Sequence, residues 1–365
     1  MKQDIESLDN MFNKVKSYQE RKRDYISDVR STEMQYIGGD VLKLSIDGDK
    51  ANWPIDDHTL RQMGTWAHLP ASYVSYMRRE GRGDLIADNF NEWFSKPVHE
   101  HTRRLYRGMS GEYSDAGSYW RSFHSDRFNR FDHEHMLEAL MPELERLEKE
   151  FGGIKVVSLG LTDGKLYVKV VFPETEAKAV GDVVQFGLTI GNSEIGLSKL
   201  FVLPLAYVLR CLNGMTLPDE GMTRRHIGSV IEETGNVTYA QDTVEADQIA
   251  IQKKLRDTIR SVTTEERMKG ILDKINDSSL SEKTVNPMKA VEKTAELFSL
   301  TDKEAENTTL SFVRRGDYSK WGMVNAVTEI ANTHDNYDRA SDIENIGGRI
   351  LAMDESRWNR IAIAA

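Results

Sequence analysis

The chain has 365 residues and a formal charge of −10, with 48 lysines and arginines against 58 aspartates and glutamates. That length predicts two domains or one domain with a helical extension, and that charge offers no general attraction to nucleic acid or anionic lipid, so a polyanion site must be a local patch. A single cysteine, Cys211, excludes an intramolecular disulfide framework and reads as a small buried hydrophobe suited to a reducing cytoplasm.

The start, MKQDIESLDN, is acidic and lacks the apolar core of a secretory signal. Ile5, Leu8, Met11, Phe12 and Val15 share one face of a short amphipathic helix, and Arg21-Lys22-Arg23 after it reads as a solvated helix face. Residues 34–37 and 41–46 around Gly38-Gly39 predict a strand pair. From Asp56 to Phe94 apolar residues recur at three- and four-residue spacing (Leu60, Met63, Ala67; Tyr73, Val74, Met77; Leu85, Ile86, Phe90, Phe94). Pro70, Gly81 and Gly83 divide this stretch into three short helices, the first favoured by Asp56-Asp57 at its N-terminal end.

Residues 101–131, HTRRLYRGMSGEYSDAGSYWRSFHSDRFNRF, differ in composition from everything around them. They hold six arginines (Arg103, Arg104, Arg107, Arg121, Arg127 and Arg130), no lysine and three acids, a local charge of +3. Tyr106, Tyr113, Tyr119, Trp120, Phe123, Phe128 and Phe131 are interleaved with them. Guanidinium groups make forked contacts with phosphate, and aromatic rings stack on unpaired bases, so this segment is the sequence's best candidate for a single-stranded nucleic-acid surface. The competing reading makes the aromatics core and pairs the arginines with carboxylates.

Next, Asp132 opens a helix over 133–150, with Met136, Leu137, Leu140, Leu144 and Leu147 as its apolar stripe and Gly152-Gly153 as its stop. Residues 154–161 and 165–172 form a hairpin through Thr162-Asp163-Gly164. The most apolar stretch, 183–216, predicts a strand at Val183–Ile190, a turn at Gly191-Asn192-Ser193 and a second run at 197–203. Pro204 is expected to bend the chain before 206–212, and Asn213-Gly214 to end the run. Its longest apolar part, residues 200–209, is shorter than the roughly 20 residues of a membrane span, so no membrane association is expected.

Beyond it, Thr223-Arg224-Arg225-His226-Ile227-Gly228 is a basic loop that either contacts phosphate or pairs with Glu232 and Glu233. From Thr243 onward the pattern is helical, with a linker at 277–286, Pro287 opening one helix and Thr301 with Glu304 making a capping box for the next. The expected fold is α+β: an antiparallel sheet core with flanking helices and a helical C-terminal region. The expected segments are an arm at 1–50, an α+β core at 51–235 and the helical region at 236–365. Apolar stripes on the first helix and the tail lead us to expect a homo-oligomer.

No chemistry-bearing motif emerges. The pairs His99/His101 and His133/His135 have i, i+2 spacing, which does not put two ligands on one helix face. Glu174-Thr175-Glu176-Ala177-Lys178 resembles a carboxylate–lysine nuclease pattern, but Pro173 places it in a loop. Neither a phosphate-binding glycine loop nor a Gly-x-Ser-x-Gly elbow occurs. The expectation is a non-enzymatic protein without a cofactor.

Asn192–Gly196 (NSEIG) and Cys211–Met215 (CLNGM) carry a resemblance to the phage/plasmid-like protein family that contains the domain of unknown function 932. It is supported by Leu60-Arg61-Gln62-Met63 leading to Leu69-Pro70-Ala71-Ser72-Tyr73, by Ser122–Asp132 (SFHSDRFNRFD), by Arg225-His226-Ile227-Gly228 and by Trp321–Glu329 (WGMVNAVTE). Asp126-Arg127-Phe128 stands where that family carries its arginine and tyrosine, so no tyrosine hydroxyl role transfers. The resemblance covers most of residues 55–350 and transfers no catalytic residue. It implies a phage, prophage or plasmid protein of the bacterial cytoplasm, acting in replication, recombination or counter-defence. Residues 101–131 with Arg224, Arg225 and His226 would line a groove for single-stranded DNA. The alternative partner is a host or phage protein, as for a factor that counters host defence or scaffolds replication proteins.

Overall fold

A computed structural model of the protein describes residues 8–48, 50–97, 99, 101–111, 117–162, 164–209, 213–217, 222–224 and 240–363. The expectations placed on Cys211, Arg225, His226 and Tyr113 lie outside them. The protein is α+β, and all of its described sheets are antiparallel. It divides into two compact units, residues 12–134 with 226–246, and residues 135–225 with 247–365 and 1–11. The segments read from sequence, 1–50, 51–235 and 236–365, are cut at other places. The reason is strand pairing: residues 22–28 form a ladder with residues 103–109, which joins the expected arm to a strand of the expected core.

In the unit built on residues 12–134, α1 (Leu8–Arg21) leads directly into β1 (Lys22–Asp28), so the basic triplet ends a helix and begins a strand. Then come β2 (Thr32–Tyr36), β3 (Leu42–Ile46) and β4 (Ala51–Pro54), which form one sheet. Three helices follow: α2 (Asp57–Trp66), α3 (Ala71–Arg79) and α4 (Gly83–Ser95). The Asp56 carboxylate caps α2 by accepting from Thr59 N at 2.7 Å, which satisfies one of the free N–H groups at the helix start. Last are β5 (Arg103–Met109) and β6 (Tyr119–Ser125), ordered β1-β5-β6 in the second sheet. One core runs through this unit, with Leu44, Ile46, Leu60, Met63, Phe90, Phe94, Tyr106, Trp120 and Phe123 all buried in it.

The other unit holds α5 (His133–Glu150), β7 (Lys155–Leu161), β8 (Leu166–Ala179), β9 (Asp182–Asn192), β10 (Leu200–Val208), β11 (Asn213–Thr216) and β12 (Met222–Arg224). These strands form a six-stranded sheet in the order β11-β10-β9-β8-β7, with β12 also on β10. Seven helices follow: α6 (Gln241–Val262), α7 (Glu265–Leu280), α8 (Pro287–Phe298), α9 (Asp302–Arg315), α10 (Lys320–Ala331), α11 (Tyr337–Leu351) and α12 (Glu355–Ala362). Trp321, Met323, Val324, Val327, Ile343 and Ile346 of α10 and α11 share a core with Phe186, Ala206 and Met215 of the sheet. Lys169 of β8 also bonds the buried carboxylate of Glu344 on α11. Thr301 and Glu304 make the reciprocal capping box.

Two expectations about the apolar stretch are corrected. Pro204 does not bend the chain, because β10 runs through it with Pro204 opposite Leu188. Its carbonyl accepts from Leu217 N at 3.0 Å on the outer side, the side its missing N–H would also face. There the outer partner changes from β12, opposite residues 200–202, to β11, opposite residues 205–208, so the missing N–H costs at most the one reciprocal bond to Leu217 at the end of the β11 ladder. Asn192, Ser193 and Glu194 are fully buried, with Asn192 paired to Leu166, rather than forming a solvated turn. Pro173 likewise leaves β8 intact. The irregularity that follows is closed by Thr175 Oγ1, which donates to Phe172 O and accepts from Phe186 N.

Candidate nucleic-acid interface

Residues 103–109 alternate along β5, and the alternation decides what each arginine can do. Leu105, Arg107 and Met109 share one face, and Arg104 and Tyr106 the other. Arg107 is 1 % exposed; its Nε donates to Asp24 at 3.0 Å and its Nη2 to Asp132 at 3.0 Å. Lys22 Nζ joins the same Asp132 carboxylate at 3.3 Å. Two cations thus face two carboxylates, with Arg107, Lys22 and Asp132 buried at their side chains and Asp24 at the exposed edge.

Arg104 is built differently. Its guanidinium lies over the Trp66 ring at 5.7 Å and the Phe123 ring at 5.9 Å. No carboxylate bonds it: its hydrogen bond is a long one from Nη2 to His101 O, 3.4 Å, and its Nε is buried without a partner. Burial pulls its pKa below the usual arginine value, with Tyr106 and Asp126 opposing that shift. Asp126 itself is committed elsewhere, to His101 Nε2 at 2.6 Å and to Arg103 at 4.0 Å. Trp66 beside it is 7 % exposed, and its indole N–H also lacks an acceptor.

The aromatic part of the expected interface is corrected by burial. Trp120 is 0 % exposed, donates from Nε1 to Leu44 O at 2.9 Å and packs on Trp53 with ring centroids 4.7 Å apart. Phe123 and Tyr106 are buried against each other at 5.3 Å, and burial pushes the Tyr106 phenol pKa up. None of these three rings presents a face to a base. Phe128, partly exposed, is already stacked on His124 at 3.8 Å. Tyr119 is partly exposed but sits opposite Met109, at the far end of the β5–β6 ladder from Arg104.

The structure therefore sorts the expected residues. Arg103, 41 % exposed at its side chain, lies next to Arg104, and the two occupy one end of β5. Arg121 is buried, while Arg127 and Arg130 are partly exposed in the chain leading to α5, and all three have partners in the fold. Arg224 belongs to β12 in the other unit. Two residues outside the expected set complete the site. Trp66 ends α2, and its spacing from Met63 reads only as core. His99 gives Nε2 to Trp66 O at 3.0 Å, and its ring lies 5.3 Å from that of His68. The His99/His101 pair therefore diverges rather than converging on an ion. Among the described residues no group of three or more His, Cys, Asp or Glu side chains is placed to hold a metal, and no helix is long and apolar enough to cross a membrane.

Comparison with family models, with curated proteins and with solved structures finds no match to the chain.

Proposed function

We propose that the protein binds single-stranded nucleic acid, as a binding or annealing factor of a phage or related mobile element acting in recombination or replication. The observation that carries this reading is Arg104, a partly buried cation over the rings of Trp66 and Phe123, its Nε buried without a partner and no carboxylate bonded to it. Holding a charge in that state is costly, and a phosphate oxygen supplies the missing counter-charge. Arg103, the next residue of β5 and on its other face, adds a partly exposed cation at the same strand end of a protein whose net charge is −10. The resemblance to the phage/plasmid-like family supports the setting, and annealing by this route needs neither nucleotide nor metal. Fluorescence anisotropy with a labelled single-stranded oligonucleotide at two salt concentrations tests the reading: binding that weakens steeply with salt is expected, and no binding at low salt ends it.

The second reading, a protein-interaction factor, has its own observation. Val285, Met288 and Ile363 are large, exposed apolar side chains, and Val285 N donates to Ala362 O at 3.1 Å, which sets the first beside the last. Affinity capture from infected cells with the wild type and with Val285→Asp tests it. Recovery of the same proteins by both would count against that surface.

A further inference from the structure

The binding surface just described has a partly exposed arginine in Arg104 but has lost the stacking platforms that the composition of residues 101–131 suggested. From this asymmetry we infer that the protein grips a strand by its phosphodiester backbone at Arg104 and leaves the bases facing solvent. The inference rests on the nucleic-acid reading and specifies its chemistry: the ligand class is the polyanionic sugar-phosphate chain, recognised without regard to base.

Three observations carry it. The rings closest to Arg104 are the buried Trp66 and Phe123, and both already spend a face on its guanidinium. Phe128 and His124 occupy each other, with planes 15° apart. Tyr119 pairs with Met109 while Arg104 pairs with Ser125, five ladder positions away or about 16 Å along the strand, so Tyr119 cannot stack on a base whose phosphate sits at Arg104. A guanidinium held against two rings is pre-organised for a forked contact with phosphate. Bases held away from the protein remain free to pair with a second strand, which is what an annealing factor requires.

The experiment compares a mixed-sequence single-stranded DNA oligonucleotide with an abasic deoxyribose-phosphate oligomer of the same length, on wild type and Arg104→Gln. One stacked base contributes on the order of five- to a hundredfold in affinity, so a base-stacking protein would lose most of its binding to the abasic strand. The expected result is abasic binding within about threefold of the mixed-sequence strand, below what a single stacked base supplies, and parallel weakening of both by Arg104→Gln. If the mixed-sequence strand binds and the abasic strand loses more than about tenfold, base contacts carry the affinity; the backbone inference then falls and the nucleic-acid reading stands. If neither strand binds at low salt, both fall.

Discussion

Arg107 and Asp132 form a buried hydrogen-bonded ion pair, Nη2 to the carboxylate at 3.0 Å, three residues along the strand from an arginine with no such partner. The two arginines look alike in sequence, and their environments assign them opposite roles.

Replacing Arg107 by alanine takes from the buried Asp132 carboxylate the stronger of its two cations, leaving Lys22, and from the exposed Asp24 its bond to Nε. Breaking a buried pair from one side costs about 3–5 kcal/mol. Urea denaturation is expected to show a loss of that size, with nucleic-acid affinity in the surviving folded fraction unchanged.

Trp120→Ala should cost about 3–5 kcal/mol by opening a cavity beside Trp53 and Tyr106, whereas Trp120→Phe loses chiefly the bond to Leu44 O and part of the packing. Both are read as shifts in the urea midpoint. A Trp120→Ala variant of undiminished stability would show that the ring is not core.

Two glycines are expected to respond with opposite signs. A Cβ on Gly187 would collide with Val170 O within the β8–β9 ladder, so Gly187→Ala must separate the strands, at a cost of about 1–3 kcal/mol. Gly270, inside α7, has nothing within 4 Å of its Cβ position, and Gly270→Ala should stabilise by about 0.5–1 kcal/mol. Thermal unfolding of the two variants checks both.

Acid should loosen the helical layer. The Arg339 guanidinium, with the Thr301 cap assisting, lowers the Glu304 pKa from 4.5 to about 2, against the upward pull of burial. A depressed folded-state value means that the stabilisation is present above pH 4.5 and is lost as pH falls towards about 2. Stability measured across that window should fall less steeply in Glu304→Gln than in the wild type.

Much of the fold was legible because it rests on local rules. The hairpin at 155–172, the Thr301–Glu304 capping box and the Asp56 cap follow from alternation and from unsatisfied helix-end N–H groups. What escaped was decided by tertiary neighbours. Pro204 sits in a central strand because its missing N–H falls at the last position of the β11 pairing, where the outer partner changes from β12 to β11. Gly191-Asn192-Ser193 read as a turn from residue type alone, whereas the burial of Asn192, Ser193 and Glu194 comes from packing that composition does not record. In residues 101–131 the abundance of arginine and aromatic residues was visible, but composition does not report strand faces. The alternation of Leu105, Arg107 and Met109 with Arg104 and Tyr106 was the available signal, and it separates the paired arginine from the unpaired one.

The most direct test of the central claim is the salt-dependent affinity of a single-stranded oligonucleotide for wild type, Arg104→Gln and Arg79→Gln, the last a control on α3 whose side chain is 73 % exposed. Losing one charged phosphate contact should weaken Arg104→Gln by roughly ten- to a hundredfold and reduce its salt slope by about one, while Arg79→Gln stays near wild type. Wild-type affinity and slope in a folded Arg104→Gln variant would contradict the account.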